Sequence, residues 1–368
     1  MRVVFLSHTY VSRLARGKLR ALTGLGCTVA VAVPARWRGP GGTGGLVETQ
    51  WEDDTGIRVV PVTVRGDPSH PDELRWDLRA LRRLLKDFRP DVLQVEEEPT
   101  SRIAARAAAE ARGLRIACVV YTWRTLPGVP SFTQRLRRAR VLKRATAIIS
   151  GNRLADALVV AARPRIPHTV LPQLGVVTPA AASSPGPVLA LGFIGRLVPE
   201  KGLDMLFRAC VRLAGDWTLD IVGTGPAQVE LEALAERLGI SARLTWHGAL
   251  PRAELAELWP RIGCIVTPSR ALPNWVEAHG RVALEAMAHG IPAVVSDTGA
   301  LPEAVGEAGL VFPADDVPAL TAALQRLIDE PDLRARLGAD GRRRIVALFT
   351  SEALARRQLE FWRTLASD

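Results

Sequence analysis

The sequence predicts an α/β protein with two Rossmann-like domains that face each other across a cleft. Short β-branched segments alternate with amphipathic helical segments along the whole chain, and this pattern is typical of parallel sheets flanked by helices. In addition, 368 residues exceed one ordinary hydrophobic core and suit two domains.

The first half of the chain predicts one such domain, at residues 1–176. Its apolar segments predict strands at 3–6, 28–33, 59–62, 92–95, 116–121, 145–149 and 168–171. Helices are expected between several of them, for instance at 71–87 and 101–112. An uncharged segment rich in Pro, Ala and Ser follows at 177–187 and is typical of an interdomain linker.

The alternation begins again at residue 188 and predicts a second domain at 188–350. Strands are expected at 188–194, 218–222, 243–247, 264–268, 293–296 and 309–312, with helices between them such as 227–238 and 252–262. The last helix, about 351–368, is a candidate to pack back onto the first domain. Because α/β folds bind ligands at the carboxyl ends of their strands, the cleft is the predicted ligand site.

Composition indicates a soluble globular protein, since 48% of the residues are apolar and 23% are charged. No segment approaches the ~18 consecutive apolar residues of a membrane span. The first residues predict a buried strand and not a signal peptide. The four scattered cysteines are expected to be reduced core residues, as in a cytoplasmic protein.

The charge is distributed unevenly. Residues 1–180 contain 29 of the 48 Lys and Arg residues but 15 of the 38 Asp and Glu residues. The first half is therefore strongly basic, which favours contact with an anionic partner. The alternative is a set of solvated basic surfaces without such a partner.

The first candidate site follows the strand 188–194 and has the sequence GRLVPEKG, from Gly195 to Gly202. A glycine allows close approach of a ligand, and the next helix offers free N–H groups at its N-terminus. Arg196 and Lys201 add two positive charges, which suits a diphosphate. The alternative is an ordinary turn with solvated basic residues.

Two glycine-rich segments are weaker signals. Gly223 and Gly225, in VGTGP, lack the third glycine of a dinucleotide fingerprint and indicate a tight turn that also lets backbone approach a ligand. The run GPGGTGG at 39–45 lacks the Lys-Ser/Thr of a P-loop and predicts a mobile loop.

The third segment, 277–292, reads EAHGRVALEAMAHGIP. Gly280 marks a helix start, so the N–H groups of Arg281 and Val282 would point into the cleft. Glu277 would lie on the preceding loop and Glu285 one turn into the helix. Carboxylates accept hydrogen bonds from the paired hydroxyls of ribose or hexose. The alternative is two glutamates on a helix face.

The succession GRLVPEKG, VGTGP, HG, TPS and E-x7-E with EAMAHGIPAVVSDTG resembles retaining glycosyltransferase family 4, of the GT-B fold. The resemblance covers residues 188–350 and implies transfer of a sugar from a nucleotide diphosphate sugar to an acceptor hydroxyl, with retention. It implies catalytic roles for Arg196, Lys201 and Glu277, of which the first two would bind the diphosphate and Glu277 the transferred sugar. The remaining implied donor-binding residues are Gly195, Gly223, His247, Gly248, Leu250, His279, Gly280, Arg281, Val282 and Glu285, the last of these on the ribose.

The N-terminal half departs from that family. No His follows the strand 116–121, where Tyr121-Thr122-Trp123-Arg124 stands, and Ser7-His8-Thr9-Tyr10 replaces the glycines expected after the first strand. Candidate acceptor-binding residues are His8, Tyr10, Glu96 and Trp123, since each would lie at or beyond the end of a strand. The run Glu96–Glu98 has the alternative of a solvated acidic loop.

No acidic pair follows a suitable strand, so we expect neither a metal nor another cofactor. The expected partners are a nucleotide sugar and an acceptor that is lipid-linked or anionic, and not a nucleic acid. Glycolipids, polysaccharides and glycosylated natural products are the expected product classes.

A basic helical segment at 131–144 raises the question of membrane contact. It places Phe132, Leu136, Ala139 and Leu142 at helical spacing among six basic residues. This pattern suits a surface that faces anionic lipid, at the inner face of the membrane, or a phosphate-bearing acceptor. The alternative is a helix packed on its sheet through the same apolar positions.

Two other functions remain open from the sequence. One is a different enzyme of the same architecture, such as a nucleotide-sugar epimerase or a sugar phosphorylase. The other is a non-catalytic protein that binds sugar nucleotides, as the absent His suggests.

Overall fold

The computed structural model of the chain describes residues 1–38, 46–67, 70–126, 130–180 and 188–365. The chain divides into two compact units: Met1–Gly175 with Ser351–Asp368, and Val176–Thr350. We call them unit 1 and unit 2. The glycine-rich run 39–45 and residues 181–187 of the predicted linker lie outside the described residues.

Unit 1 is an α/β unit in which strands and helices alternate. Its strands are β1 (Arg2–Leu6), β2 (Thr28–Pro34), β3 (Arg36–Trp37), β4 (Val47–Glu48), β5 (Glu52–Asp54), β6 (Ile57–Val62), β7 (Val64–Arg65), β8 (Arg75–Trp76), β9 (Val92–Val95), β10 (Ala117–Thr122), β11 (Ala147–Ser150) and β12 (His168–Val170). Its helices are α1 (Gly17–Gly24), α2 (Leu78–Phe88), α3 (Arg102–Leu114), α4 (Phe132–Arg144), α5 (Arg153–Ala162) and, from the end of the chain, α13 (Ser351–Leu365).

The main sheet of unit 1 has the strand order β12-β11-β10-β9-β1-β2-β6-β5. All neighbours pair in parallel except β5, which runs antiparallel to β6 at the edge. The central strands are buried on both faces because helices cover both sides. The carboxyl ends of β1, β9 and β10 therefore lie side by side.

Helix α13 belongs to unit 1, although in the sequence it follows the whole of unit 2. It packs beside α1, and Leu354, Leu359 and Trp362 enter the core beneath the sheet. The indole N–H of Trp362 donates to Gln94 Oε1 of the central strand β9 at 3.2 Å. This hydrogen bond ties the end of the chain to the middle of the sheet.

Unit 2 repeats the alternation with one parallel sheet of order β15-β14-β13-β16-β17-β18. Its strands are β13 (Leu189–Ile194), β14 (Trp217–Val222), β15 (Leu244–Gly248), β16 (Cys264–Thr267), β17 (Ala293–Ser296) and β18 (Leu310–Phe312). Its helices are α6 (Leu203–Cys210), α7 (Gln228–Arg237), α8 (Arg252–Leu258), α9 (Arg281–Ala288), α10 (Leu301–Val305), α11 (Val317–Asp329) and α12 (Pro331–Leu348).

Most predicted elements are present within two residues of their expected bounds, but the helix predicted at 71–87 is wrong in its first part. Pro71–Glu73 form a short 3₁₀ turn, and Trp76 pairs with Val64 in the small hairpin of β7 and β8. The helix begins only at Leu78, because the side chain of Asp77 caps it by accepting from Arg79 N and Ala80 N.

The four cysteines are buried and free, as the sequence predicted. Among the described helices, none combines the length and the apolar character that crossing a membrane demands.

Candidate active site

The predicted donor-binding residues come together at the carboxyl edge of the sheet of unit 2. Gly195 follows β13, Gly223 follows β14, and Gly248 ends β15. The loop after β16 carries Glu277, and it leads directly into α9. Since all these strands are parallel, the segments that the sequence singled out lie along one edge.

The loops after β13 and β14 contact each other through their backbones. Leu197 N donates to Thr224 O at 3.0 Å, and Gly195 N donates to Val222 O at 2.9 Å. A Cβ atom on Gly223, whose φ is 134°, would lie 1.8 Å from Gly195 O. The glycine of this turn is therefore required by the neighbouring loop of the protein itself, whatever it contributes to a ligand.

Lys201 and Glu277 form the centre of the site. Lys201 Nζ lies 2.5 Å from Glu277 Oε2, and both side chains are largely buried. The Ser269 hydroxyl donates to the same carboxylate oxygen at 3.3 Å, and the ring centroid of Trp275 lies 5.2 Å from Lys201 Nζ. Lys201 and Ser269 therefore both contact the same oxygen of Glu277, Oε2.

The loop of Glu277 is held from two sides. Its carbonyl accepts from Ala300 N at 2.8 Å, and a Cβ atom on Gly299 would lie 1.9 Å from that carbonyl oxygen. Gly202 allows an equally close approach of Pro268 O, at 2.0 Å from its would-be Cβ. These contacts fix the backbone on either side of the ion pair.

Gly280 is the N-cap of α9 and adopts φ 58° and ψ 28°. A side chain there would press against Ala304 and Leu301, and the left-handed conformation itself favours glycine. Because glycine has no side-chain acceptor, the first N–H groups of the helix, those of Arg281 and Val282, are not capped from this position.

Glu285 lies in the second turn of α9, where Arg281 Nε contacts its Oε1 at 2.9 Å. In contrast, Arg196 extends into solvent, with 67% of its side chain exposed and its guanidinium 3.8 Å from Glu200. Of the predicted donor-binding residues, Glu277 and Glu285 therefore already have basic partners, whereas the Arg196 side chain is free to move.

The remaining predicted donor residues have the following surroundings. His247 Nε2 lies 2.7 Å from Asp220 Oδ1, and Gly248 O accepts from Gly223 N at 2.7 Å. Leu250 is half-buried against the core of unit 2. His279 is exposed at its edge, but nearby protein atoms displace water from the imidazole and lower its pKa. The Glu277 carboxylate raises that pKa and Arg281 lowers it, and the net shift is downward.

In unit 1, the structure brings His8 and Trp123 together, with ring centroids 6.4 Å apart. The ring of His8 also stacks on Trp37 at 4.6 Å, and its Nδ1 lies 2.7 Å from Glu97 Oε1. Burial lowers the pKa of His8, but the Glu97 carboxylate outweighs this effect and the net shift is upward. His8 is thus held next to a buried negative charge.

Tyr10 and Glu96 are both completely buried, so they offer an acceptor no surface in this conformation. The Tyr10 hydroxyl donates to Glu96 Oε2 at 2.6 Å, and Lys18 Nζ lies 3.0 Å from Glu96 Oε1. Gln173 Nε2 donates to Glu96 Oε2 at 3.1 Å. Their predicted role in contacting the acceptor therefore changes to one of supporting the sheet edge.

The alternative interpretation of Glu96–Glu98 as a solvated loop is wrong, because all three side chains are buried. Glu98 accepts from Trp123 N at 2.7 Å, from Arg124 N at 3.0 Å and from the Thr122 hydroxyl at 2.9 Å. Burial nevertheless raises the pKa of Glu98 to about 7.

Sequence reasoning missed several residues of these sites. Ser269 and Trp275 flank the Lys201–Glu277 pair, and Glu97 and Trp37 contact His8. Ser269 had a signal in the TPS motif that ends β16, whereas Trp37 becomes a neighbour of His8 only through tertiary packing. Among the described residues, no three His, Cys, Asp or Glu side chains are grouped so that they could hold a metal ion.

Two family models match the chain. The model described as glycosyl transferases group 1 matches residues 182–344, and a glycosyl transferase 4-like domain matches residues 8–173. Together they account for both units.

Curated relatives are similar over part of their length. A GDP-mannose-dependent alpha-(1-6)-phosphatidylinositol monomannoside mannosyltransferase of Mycolicibacterium smegmatis is 36% identical over 156 residues, which is 40% of this chain and 41% of the relative. A D-inositol 3-phosphate glycosyltransferase of Corynebacterium jeikeium is 38% identical over 160 residues, 40% of this chain and 37% of the relative. The chain thus spans about two fifths of the length of the curated relatives it matches.

Solved structures resemble the chain over its whole length. An Anabaena protein, HepE, solved in complex with UDP, has a TM-score of 0.73 at 19% identity and is covered completely, as is this chain. A sucrose-phosphate synthase from Thermosynechococcus elongatus has a TM-score of 0.69 at 19% identity, with 100% of this chain and 99% of that chain covered. At this level of identity the likeness concerns the fold, which is the predicted GT-B fold.

Proposed function

Because this chain belongs to the glycosyl transferases of group 1, we propose that it transfers a sugar from a nucleotide diphosphate sugar to an acceptor hydroxyl, with retention of the anomeric configuration. The observation that carries the proposal is the Lys201–Glu277 pair at the carboxyl edge of unit 2. The exposed Arg196 is on the same loop as Lys201, and α9 begins four residues after Glu277 without a side-chain cap.

These groups suit the charge that develops in such a reaction. Negative charge accumulates on the departing diphosphate, so the transition state is stabilised by positive groups aimed at it. Arg196 can swing onto the diphosphate because it has no tight internal contact to break. Lys201 is already oriented by Glu277, and the N–H groups of Arg281 and Val282 add the positive end of a helix dipole.

The two glutamates are assigned different roles. Glu277 uses Oε2 for Lys201 and Ser269, so Oε1 is the oxygen that would accept from a hydroxyl of the transferred sugar. Glu285 would accept from the ribose hydroxyls and would share its charge with Arg281. Removal of Glu285 therefore affects every nucleotide, whereas removal of Glu277 affects the sugar.

We propose that neither a metal nor another cofactor takes part, since Arg196, Lys201 and the N–H groups at the start of α9 would supply the positive groups that the diphosphate needs. The donor is assigned to the class of nucleotide diphosphate sugars without choice of base. One similar protein is named for GDP-mannose and another was solved with UDP. The acceptor is assigned to phosphate-bearing or lipid-linked molecules, because unit 1 is basic and two similar proteins are named for inositol phosphate derivatives.

The test has two steps. A thermal-shift screen of nucleoside diphosphates and nucleotide sugars first identifies the donor, and a transfer assay then uses that donor. A ligand at about 100 times its Kd stabilises the protein by about 2.7 kcal/mol and so identifies the donor. The donor is then incubated with candidate phosphorylated acceptors, and proton NMR reports the anomeric configuration of the product. Replacing Arg196 and Lys201 together by Ala should lower turnover at least about a hundredfold, while Arg208→Ala, an exposed arginine on α6, should leave it unchanged.

The outcomes separate the alternatives. A donor that changes its sugar without an acceptor would identify an epimerase, and one that is cleaved by inorganic phosphate would identify a phosphorylase. Tight donor binding without turnover on any acceptor would indicate a binding protein. Near-normal transfer by the double variant would contradict the diphosphate assignment.

We further propose that unit 1 contacts an anionic membrane at the cytoplasmic face through α4. The alternative, that the apolar positions of α4 pack on the sheet, holds only for Leu142, because Phe132, Leu136 and Ala139 are exposed. Phe132 is 79% exposed and is followed on the same helix by Arg135 and Lys143. An exposed aromatic ring among cations is typical of helices that lie in the membrane interface.

Flotation with phosphatidylglycerol and phosphatidylcholine vesicles tests this contact. Binding should require the anionic lipid, since each basic residue near the surface contributes about 1 kcal/mol, and should fade as salt shortens the Debye length. Phe132→Ser should weaken it, and Leu14→Ser, at another exposed apolar residue of unit 1, should not. Failure to bind anionic vesicles at low salt would contradict the proposal without affecting the donor assignment.

A further inference from the structure

A groove on unit 1 is lined by arginines. It lies between β8, α3 and α4 and has a volume of about 660 Å³, within the usual range for small-molecule sites. Its lining contains six arginines and no acidic residue: Arg75, Arg102, Arg106, Arg137, Arg140 and Arg144. We call it the arginine groove.

Only part of this charge is neutralised by the protein. Glu73, at the rim, contacts Arg102 at 2.6 Å and Arg137 at 2.7 Å. The other four arginines of the groove have no acidic partner within the ranges that the structure describes. The anionic groups of a ligand would therefore contact guanidinium groups that do not already form an ion pair.

The local structure brings these like charges together. Arg140 and Arg144 are four residues apart on α4, as are Arg102 and Arg106 on α3. Arg75 of β8 stands opposite Arg65 of β7 in the antiparallel pair. Like charges at i, i+4 on a helix and directly across a strand pair repel each other. A bound anion would offset this repulsion among the arginines.

An independent observation points to a missing acceptor. Trp76 lines the groove and is only 6% exposed, yet its indole N–H has no hydrogen-bond partner among the described residues. Buried indole N–H groups normally donate a hydrogen bond. A ligand rich in oxygen acceptors would satisfy it.

From these features we propose that the arginine groove binds a compact anion that carries several phosphate groups. Planar guanidinium groups bind phosphate oxygens in pairs, and the floor formed by Leu74, Ile103 and Trp76 excludes water beneath them. The site belongs to unit 1 alone and does not depend on the proposed sugar transfer. The phosphates come either from a soluble molecule or from a membrane lipid headgroup.

Isothermal titration calorimetry of the whole protein with sodium tripolyphosphate tests the chemistry. Replacing Arg106 and Arg140 by Gln should weaken binding at least about tenfold, since two charge-assisted contacts are lost. The matched control, Arg83→Gln with Lys86→Gln on the exposed face of α2, removes the same charge outside the groove and should change the affinity less than about twofold. Lys201→Ala should keep groove binding, which separates this site from the donor site.

Thermal unfolding without ligand serves as the folding control, and the groove variant should melt no lower than the native protein because it loses like-charge repulsion. If the double variant does not fold, Arg140→Gln alone replaces it. Cosedimentation with vesicles that contain phosphatidylinositol 4,5-bisphosphate, compared with phosphatidylglycerol vesicles of equal charge, then distinguishes the sources. A loss in the groove variant that is larger for the bisphosphate vesicles identifies a headgroup, and equal binding to both vesicles with weakened tripolyphosphate binding identifies a soluble ligand.

The proposal is overturned if neither tripolyphosphate nor bisphosphate vesicles bind at low salt in a way that the groove variant weakens. It is equally overturned if the groove variant and the α2 control lose affinity to the same extent, because the effect would then be one of net charge alone.

Discussion

Replacing Lys201, Glu277 or both by Ala measures how strongly the central pair of the candidate site is coupled. Lys201 Nζ lies 2.5 Å from Glu277 Oε2, and the two side chains are only 19% and 15% exposed. Removing one partner leaves the other charge shielded from water and without its counter-ion. The two single variants should therefore lose, in sum, more free energy of unfolding than the double variant loses.

The magnitude follows from these contacts. A charged hydrogen bond contributes about 1.5–3 kcal/mol, and a cation–π contact such as that of Lys201 with Trp275 adds about 0.5–1 kcal/mol. We expect each single replacement to cost about 2.5 kcal/mol and the double replacement about 3 kcal/mol. The coupling energy of the pair is then about 2 kcal/mol.

Urea unfolding of the four proteins gives the coupling energy, with circular dichroism and tryptophan fluorescence fitted as separate transitions because a two-unit chain need not unfold in one step. The Arg281–Glu285 pair provides a matched control at 2.9 Å, with side chains that are 39% and 25% exposed. As an exposed i, i+4 pair it should couple by only about 0.3–0.5 kcal/mol. A Lys201–Glu277 coupling no larger than that of the control would refute the reasoning from burial.

Three further outcomes are expected. Glu285→Ala should weaken a free nucleoside diphosphate about tenfold in calorimetry, whereas Glu277→Ala should leave that affinity intact and lower turnover with the nucleotide sugar; equal losses of affinity would mean that the roles are not divided. Turnover should survive EDTA, and loss that magnesium or manganese restores would show that a metal is needed. Because the pKa of Glu98 is raised from 4.5 to about 7 in the folded state, stability should fall as pH rises between these values, by on the order of 3 kcal/mol. Glu98→Gln should make that slope shallower, although the raised pKa values of Asp72 and His8 keep part of it, and an unchanged slope in the variant would assign it to other groups.

The donor half could be predicted from sequence because its function depends on short, local signals. A glycine at a helix start, a lysine six residues after another motif glycine and a glutamate at a loop end are readable one by one. Their meeting follows from parallel strand order, which places all strand-to-helix loops at one edge. Even the pairing of Glu277 with Lys201 joins two residues that the sequence had already selected.

The surroundings of the candidate acceptor-binding residues could not be predicted from the sequence, because the partners of these polar side chains are distant along the chain. Glu96 looks like a cleft residue from its place after β9, but Tyr10, Lys18 and Gln173 enclose it. Likewise, three consecutive acids are typical of an exposed loop, and only the structure supplies a separate internal partner for each. For α4 the sequence left an exposed surface and a packed helix as alternatives, because apolar spacing alone does not show which positions the neighbouring elements cover; Phe132 is exposed.

The position of α13 has a consequence for how the chain is synthesised. Unit 1 needs Trp362 and Leu359 beneath its sheet, yet these residues leave the ribosome only after all of Val176–Thr350 has been made. Unit 2 is continuous and can fold as soon as it emerges, whereas the earlier unit waits with an uncovered apolar face. A chain truncated after residue 350 and released from the ribosome should therefore hold a protease-resistant second unit and a protease-sensitive first one.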